Sequence, residues 1–148
     1  ARALYKDAPI MILDEPTAGL DVVARDEVLD MLRDYMDEGD RSILISSHIS
    51  SDLESLGDDI YLIDDGKIVM HEETDVLVGQ YGVLKLTEEQ YEKLDKNHII
   101  CSKKGKYGYE CLTDQKQFYG ENYPEIVIER GSIDEVISLM IGNKREAK

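Results

Sequence analysis

Two neighbouring carboxylates, Asp14 and Glu15, stand directly after the apolar run Ile10-Met11-Ile12-Leu13. A run of this kind suits a strand buried on both faces, as in parallel sheets. Ligands of open α/β sheets bind at the carboxyl edge of the strands, where both acids would lie. Adjacent carboxylates repel each other unless a cation or a proton offsets their charge. Magnesium does this readily: it takes oxygen ligands and reaches protein through one or two carboxylates plus waters and phosphates. The second acid is then free to orient and polarise an attacking water. A second apolar run, Ile43-Leu44-Ile45, leads into Ser46-Ser47-His48. A histidine at that edge can donate to a terminal phosphate or hold the water that attacks it, since its intrinsic pKa lies near neutrality.

The elements that must position these residues follow from periodicity. Residues 1–7 read as the tail of a helix ended by Pro9. Asp21 is a good N-cap for a helix from Val22 to Glu38, with Val22, Val28, Leu29, Leu32 and Met36 at helical spacing and Gly39 at its end. Ser51 with Glu54 has the capping-box pattern for a short helix, Asp52 to Leu56. Ile60–Ile63 and Lys67–Met70 flank Asp64-Asp65-Gly66 and predict a hairpin. The first seventy or so residues are thus α/β, with parallel strands and an antiparallel edge.

Thr74 to Val78 predicts a short helix leading out, and a domain boundary falls near Gly79–Gly82, giving domains 1–78 and 79–148. Beyond it come strand Val83–Leu86, a Thr87/Gln90-capped helix to Leu94 and a hairpin of His98–Ser102 with Tyr107–Leu112. A short helix Asp114–Tyr119, strand Pro124–Glu129 and a Ser132/Glu135-capped helix Ile133–Ile141 complete the chain. The order from 83 to 130 is β-α-β-β-α-β, matching the split β-α-β, or ferredoxin-like, motif.

Composition narrows the classes. Of 148 residues, 17 are Lys or Arg and 32 are Asp or Glu, a formal charge of −15. Such a chain repels phosphate backbones and anionic membrane surfaces, so nucleic acid is not an expected partner. The apolar runs are too short to span a bilayer and too many for a disordered chain. Two cysteines, Cys101 and Cys111, make no disulfide framework and are expected as neutral buried thiols. The chain reads as soluble and cytosolic, and its start at Ala1-Arg2-Ala3-Leu4 as a piece of something longer.

Together these motifs resemble the second half of the nucleotide-binding domain of ATP-binding cassette (ABC) proteins, a partial P-loop NTPase core. Ile10–Asp14 resembles the Walker B strand, Glu15 the catalytic carboxylate, Ala18-Gly19-Leu20-Asp21 the D-loop and His48 the switch histidine. Ala1–Leu4 resembles the end of the helix after the signature motif, and Ile60–Val69 the hairpin that follows the switch. The match covers residues 1–72, and the ordered set is specific where single motifs are not. Residues 126–141 and Thr17–Asp21 look more loosely like the ABC-2-type exporter branch, which implies drug, antibiotic or lipid export.

The resemblance implies an ATPase whose Asp14 holds magnesium through water, whose Glu15 and His48 serve hydrolysis, and whose Asp21 reports across a head-to-tail dimer. It implies ATP and Mg2+ as cofactors of the full-length protein. Its partners would be a second ATPase subunit and a transmembrane permease subunit, which would hold it at the inner face of the membrane. The sequence departs from the family in two ways. Val22 stands where proline is usual, and neither a phosphate-cradling loop nor a signature motif is present. The nearest candidate, Gly57 to Lys67, has the wrong spacing. The chain alone is therefore expected to be inactive.

Plainer readings stand beside these. Asp14 and Glu15 could form a solvated turn, Asp21 serve only as an N-cap, and His48 be an ordinary strand-end residue. His71 and His98 carry no motif, and Lys103-Lys104-Gly105-Lys106 reads as a solvated hairpin tip. Two other classes stay open: an SMC-type chromosome-maintenance ATPase head, although no heptads are visible, and a non-catalytic interaction module. An uncovered apolar strand edge in the first half predicts self-association.

Overall fold

The structure is a computed structural model that describes residues 8–37 and 39–146, with 143–146 as backbone only. The expected helix tail over residues 1–7 lies outside the described residues. The chain divides into two compact units between Gly57 and Asp58.

The first unit contains β1 (Ile10–Asp14), α1 (Val22–Asp37), β2 (Ser42–Ser46) and α2 (Ser50–Leu56). The two strands pair in parallel, with Ile10 opposite Ser42 and Asp14 opposite Ser46. Asp21 caps α1 by accepting the Ala24 N–H at 3.0 Å, and Gly39 turns the chain away with a φ of 98°. The cap sets the phase of the helix: Leu29, Leu32 and Tyr35 are its buried stripe. Val22, expected on that stripe, is exposed. The Tyr35 hydroxyl donates to the Ala8 carbonyl, tying the helix to the approach of β1.

The strands correct the expectation of burial on both faces. Alternate residues Ile10 (63%), Ile12 (75%) and Leu44 (62%) are exposed, while Met11, Leu13, Ile43 and Ile45 on the other face are half-buried. Period-2 alternation of burial across two paired strands means that one apolar face is uncovered among the described residues. Exposed apolar patches favour association. Ile12→Lys is accordingly expected to lower self-association in sedimentation at high concentration without loss of helix signal. Unchanged sedimentation would show that this face is not adhesive.

α2 has no side-chain cap, so the Ser51/Glu54 capping box expected from the sequence does not form. Ser51 instead accepts a hydrogen bond from Arg25 of α1 at 2.5 Å.

The second unit begins with the hairpin of β3 (Asp59–Asp64) and β4 (Lys67–Glu73). Asp65 and Gly66 both take positive φ (50° and 73°), the conformation that an Asp-Gly turn supplies at low cost. α3 (Thr74–Gln80) packs on β4, and the Thr74 N–H donates to the Asp58 carbonyl. The Lys116 ammonium donates to the Val78 carbonyl at 3.0 Å, which ties α3 to the rest of this unit.

A four-stranded antiparallel sheet follows, in the order β6-β7-β5-β8. Its strands are β5 (Gly82–Leu86), β6 (Ile99–Gly105), β7 (Gly108–Thr113) and β8 (Val127–Arg130). The helices α4 (Glu88–Lys93), α5 (Lys116–Asn122) and α6 (Ile133–Glu146) alternate with them. Leu84, Leu86, Cys111, Tyr119 and Ile126 form one core, with Leu94 at the end of α4. α6 packs on β6 and β7. The capping boxes expected at Thr87/Gln90 and Ser132/Glu135 are both formed. Gly108 (φ 141°) brings β7 so close to β5 that a Cβ there would meet the Leu86 carbonyl oxygen.

The two cysteines are buried free thiols. Cys101 pairs with Leu112 and Cys111 with Ser102, so successive register positions send them to opposite faces of the sheet. Burial pushes the Cys111 thiol from 9.0 up to about 12, with the neighbouring Cys101 adding to the rise. Burial also pushes the Tyr119 and Tyr81 hydroxyls from 10.0 up to about 12, Glu72 contributing at Tyr81. Unfolding returns each group to its ordinary value. The stabilisation is therefore whole below about pH 9 and lost as pH rises towards 12. Thermal melts of the tyrosine signal should fall steeply across that window; a flat profile would contradict this burial.

Candidate functional site

The parallel register of β1 and β2 brings Asp14 and Ser46 side by side at the carboxyl ends of their strands. The Ser46 hydroxyl donates to Asp14 Oδ1. The next backbone N–H, that of Glu15, donates to the Ser46 carbonyl (3.0 Å) and lies 3.2 Å from its Oγ. Glu15 has a φ of 47°, a left-handed conformation uncommon outside glycine that costs on the order of 1 kcal/mol. This conformation turns the chain sharply off the strand.

The Glu15 carboxylate meets His48 twice. Oε2 lies 2.7 Å from the His48 Nδ1 and 3.3 Å from its backbone N–H, which donates to it. The sequence-predicted residues Asp14, Glu15 and His48 thus come together around Ser46. Asp21 does not join them: it holds the first turn of α1. Between Glu15 and Asp21 the chain closes two small turns, Ala18 N–H to the Glu15 carbonyl and Leu20 N–H to the Thr17 carbonyl, both at 3.2 Å, with Gly19 at a φ of 76°.

Sequence reasoning missed Thr17, Arg25 and Asp52. Asp52 is fully buried, accepts from the Thr17 hydroxyl at 2.5 Å and from Arg25 Nε at 2.6 Å, and forms an ion pair with the same guanidinium. The local pattern over Ser51–Glu54 is that of a capping box and gives Asp52 no role of its own. No local signal links it to Arg25, 27 residues earlier.

The donors at the strand ends are hard oxygens, the set magnesium prefers. Among the described residues no group of three or more His, Cys, Asp or Glu is arranged to hold a metal. Asp14 fits a role as a single carboxylate ligand to an ion whose other ligands are waters and phosphates, and does not fit an all-protein cage. Among the described residues no helix is long and apolar enough to cross a membrane. A groove of about 370 Å3 in the second unit, lined by Leu86, Tyr107, Tyr109 and Val127 among others, holds none of these site residues.

The chain is similar to ABC transporter ATP-binding proteins at 31–40% identity over about half to 70% of its length. A thiamine import ATP-binding protein, ThiQ of Rhizobium meliloti, is 38% identical over 83 residues, 56% of this chain and 35% of the relative. The lantibiotic transport ATP-binding protein SrtF of Streptococcus pyogenes is 36% identical over 104 residues, 70% of this chain and 40% of the relative. The ABC transporter ATP-binding protein NatA of Bacillus subtilis is 31% identical over 103 residues, 70% of this chain and 37% of the relative. The chain thus spans about a third to two fifths of the length of these relatives. No family model matches it.

Proposed function

We propose that this chain is the carboxy-terminal part of the ATP-hydrolysing subunit of an ABC transporter. In this reading residues 1–78 end the P-loop ATPase core, and residues 79–148 are an accessory α+β domain of ferredoxin-like topology. The antiparallel order β6-β7-β5-β8 supports the second assignment. The 2.7 Å contact between Glu15 and His48 at the ends of two adjacent parallel strands carries the first.

Asp14 would hold magnesium through a water, and the ion would supply charge neutralisation at the β- and γ-phosphates when bound. The Glu15 carboxylate acts as the base that orients and polarises the attacking water. His48 governs when that base is free. A neutral ring that donates through Nδ1 to Glu15 leaves Nε2 as an acceptor; only a ring protonated at both nitrogens donates to Glu15 and to a phosphate oxygen together. Arrival of a terminal phosphate would thus draw His48 towards donation at Nε2, and Glu15 towards water. Asp21, which caps α1, would also report across a head-to-tail dimer with a second ATPase subunit. Closure and release of that dimer would drive a transmembrane permease at the inner face of the membrane.

The relatives include import and lantibiotic-transport proteins. The exporter branch rests on the resemblance of residues 126–141 and Thr17–Asp21 alone. The test compares this 148-residue chain with the longer protein that contains it. MgATP binding and hydrolysis are expected in the longer protein and absent from the chain alone. Hydrolysis by the chain alone, or none by the longer protein, would overturn the reading.

A further inference from the structure

The Glu15–His48 contact cannot hold itself in place. The His48 side chain is 71% exposed and that of Glu15 36%, and ion pairs this open contribute at most about 1 kcal/mol. The two residues also sit on separate segments that leave their strands through turns. Strand pairing reaches only as far as the Glu15 N–H bond to Ser46, so the spacing of the two turns beyond it rests on contacts outside the pair.

Asp52 is built for this. It is a carboxylate with no solvent exposure, in the first turn of α2, four residues after His48. Its Oδ2 accepts from Thr17, itself 1% exposed and two residues after Glu15. Its Oδ1 accepts from Arg25, in the first turn of the helix that Asp21 caps. The same guanidinium reaches Ser51, and the Asp52 N–H donates to the Ile49 carbonyl at 3.1 Å. One buried carboxylate therefore ties together the turn that follows Glu15, the start of α1 and the helix that follows His48. Stability is a weak reason to keep such a group, because burying a charged pair costs about as much as the attraction returns. Its definite product is geometry.

We propose that Asp52 is a positioning residue: through Thr17 and Arg25 it sets the spacing between Glu15 and His48. The proposal rests on reading that pair as the water-activating site, and it adds a group that touches neither water nor phosphate.

The test uses this chain labelled with 15N. Amide exchange is measured at Ala18, Leu20 and His48, whose N–H groups bond within the tied segments, and at Ile43–Ile45 as the reference. In Thr17→Val and in Asp52→Asn, exchange at Ala18, Leu20 and His48 should rise about tenfold or more relative to the reference, the size of one lost hydrogen bond to a charged group. Thr17→Ser keeps the hydroxyl and should match the parent. A merely structural role would accelerate all six amides together; that result, or no selective change in Thr17→Val, overturns the proposal. In the longer protein, Thr17→Val should lower kcat for ATP and leave KM unchanged. Absence of any ATP hydrolysis by the unmodified longer protein refutes the function and leaves the exchange result standing. Hydrolysis together with uniform exchange refutes the positioning role alone.

Discussion

Glu15→Gln in the longer protein is expected to lower ATP turnover roughly a hundred- to ten-thousandfold, the range for loss of a positioned general base. The carboxamide keeps the shape of the side chain, and its oxygen can still accept from the His48 N–H, 3.3 Å from the native carboxylate. What it loses is basicity. Binding of MgATP should therefore survive, because Asp14 and Ser46 are untouched and their hydrogen bond does not involve the Glu15 side chain. Equilibrium binding beside steady-state hydrolysis separates the two effects. Equal loss of both would mean that Glu15 holds the nucleotide rather than the water.

Arg25→Met is expected to destabilise the first unit by about 3–5 kcal/mol, because it strips the cation from a carboxylate that stays out of water. Asp52 has no exposure, and only the Thr17 hydroxyl would remain of its side-chain donors. The reciprocal change, Asp52→Ala, should cost less. The Arg25 side chain is 25% exposed in the parent and can turn its charge to solvent. Urea unfolding of the two variants measures the asymmetry. Equal costs would show that Asp52 reaches water more readily than its burial implies.

Much of this site was legible in the sequence because its parts are local. Ile10–Asp14 and Ile43–Ser46 read as strands from apolar runs bounded by turn residues, and a parallel pairing suffices to bring their ends together. Asp21, Thr87 and Ser132 cap helices as their types predict, since an N-cap needs only the next three residues. Ser51 broke the same rule because α2 begins earlier than the pattern predicts, at Ser50 with Ile49 at the N-cap, which leaves Ser51 inside the first turn, where it accepts from a guanidinium 26 positions away that no local pattern encodes. Asp52 was hidden for the same reason. The two-faced burial expected of β1 and β2 rested on composition, and composition does not say whether a covering layer is present in this chain. Thr17 lay inside a recognised motif, yet its buried hydroxyl contact needed coordinates to be seen.

The division between the units was harder still. A hairpin such as β3–β4 is defined by its own turn and register, so the sequence predicts it without saying on which side it belongs. Contacts distant in sequence, such as the Lys116 bond to the Val78 carbonyl across 38 positions, decide that.

In the proposed function, Asp14, Glu15 and His48 converge to manage a metal–triphosphate group. Paramagnetic relaxation by Mn2+ bound with ATP to the longer protein tests it most directly. Strong broadening is expected at the amides of Asp14, Glu15, Ser47 and His48, weakening along β2 towards Ser42 at the other end of the strand, and Asp14→Ala should abolish it. Sharp signals at all four amides in the presence of saturating Mn2+ and ATP would contradict the account.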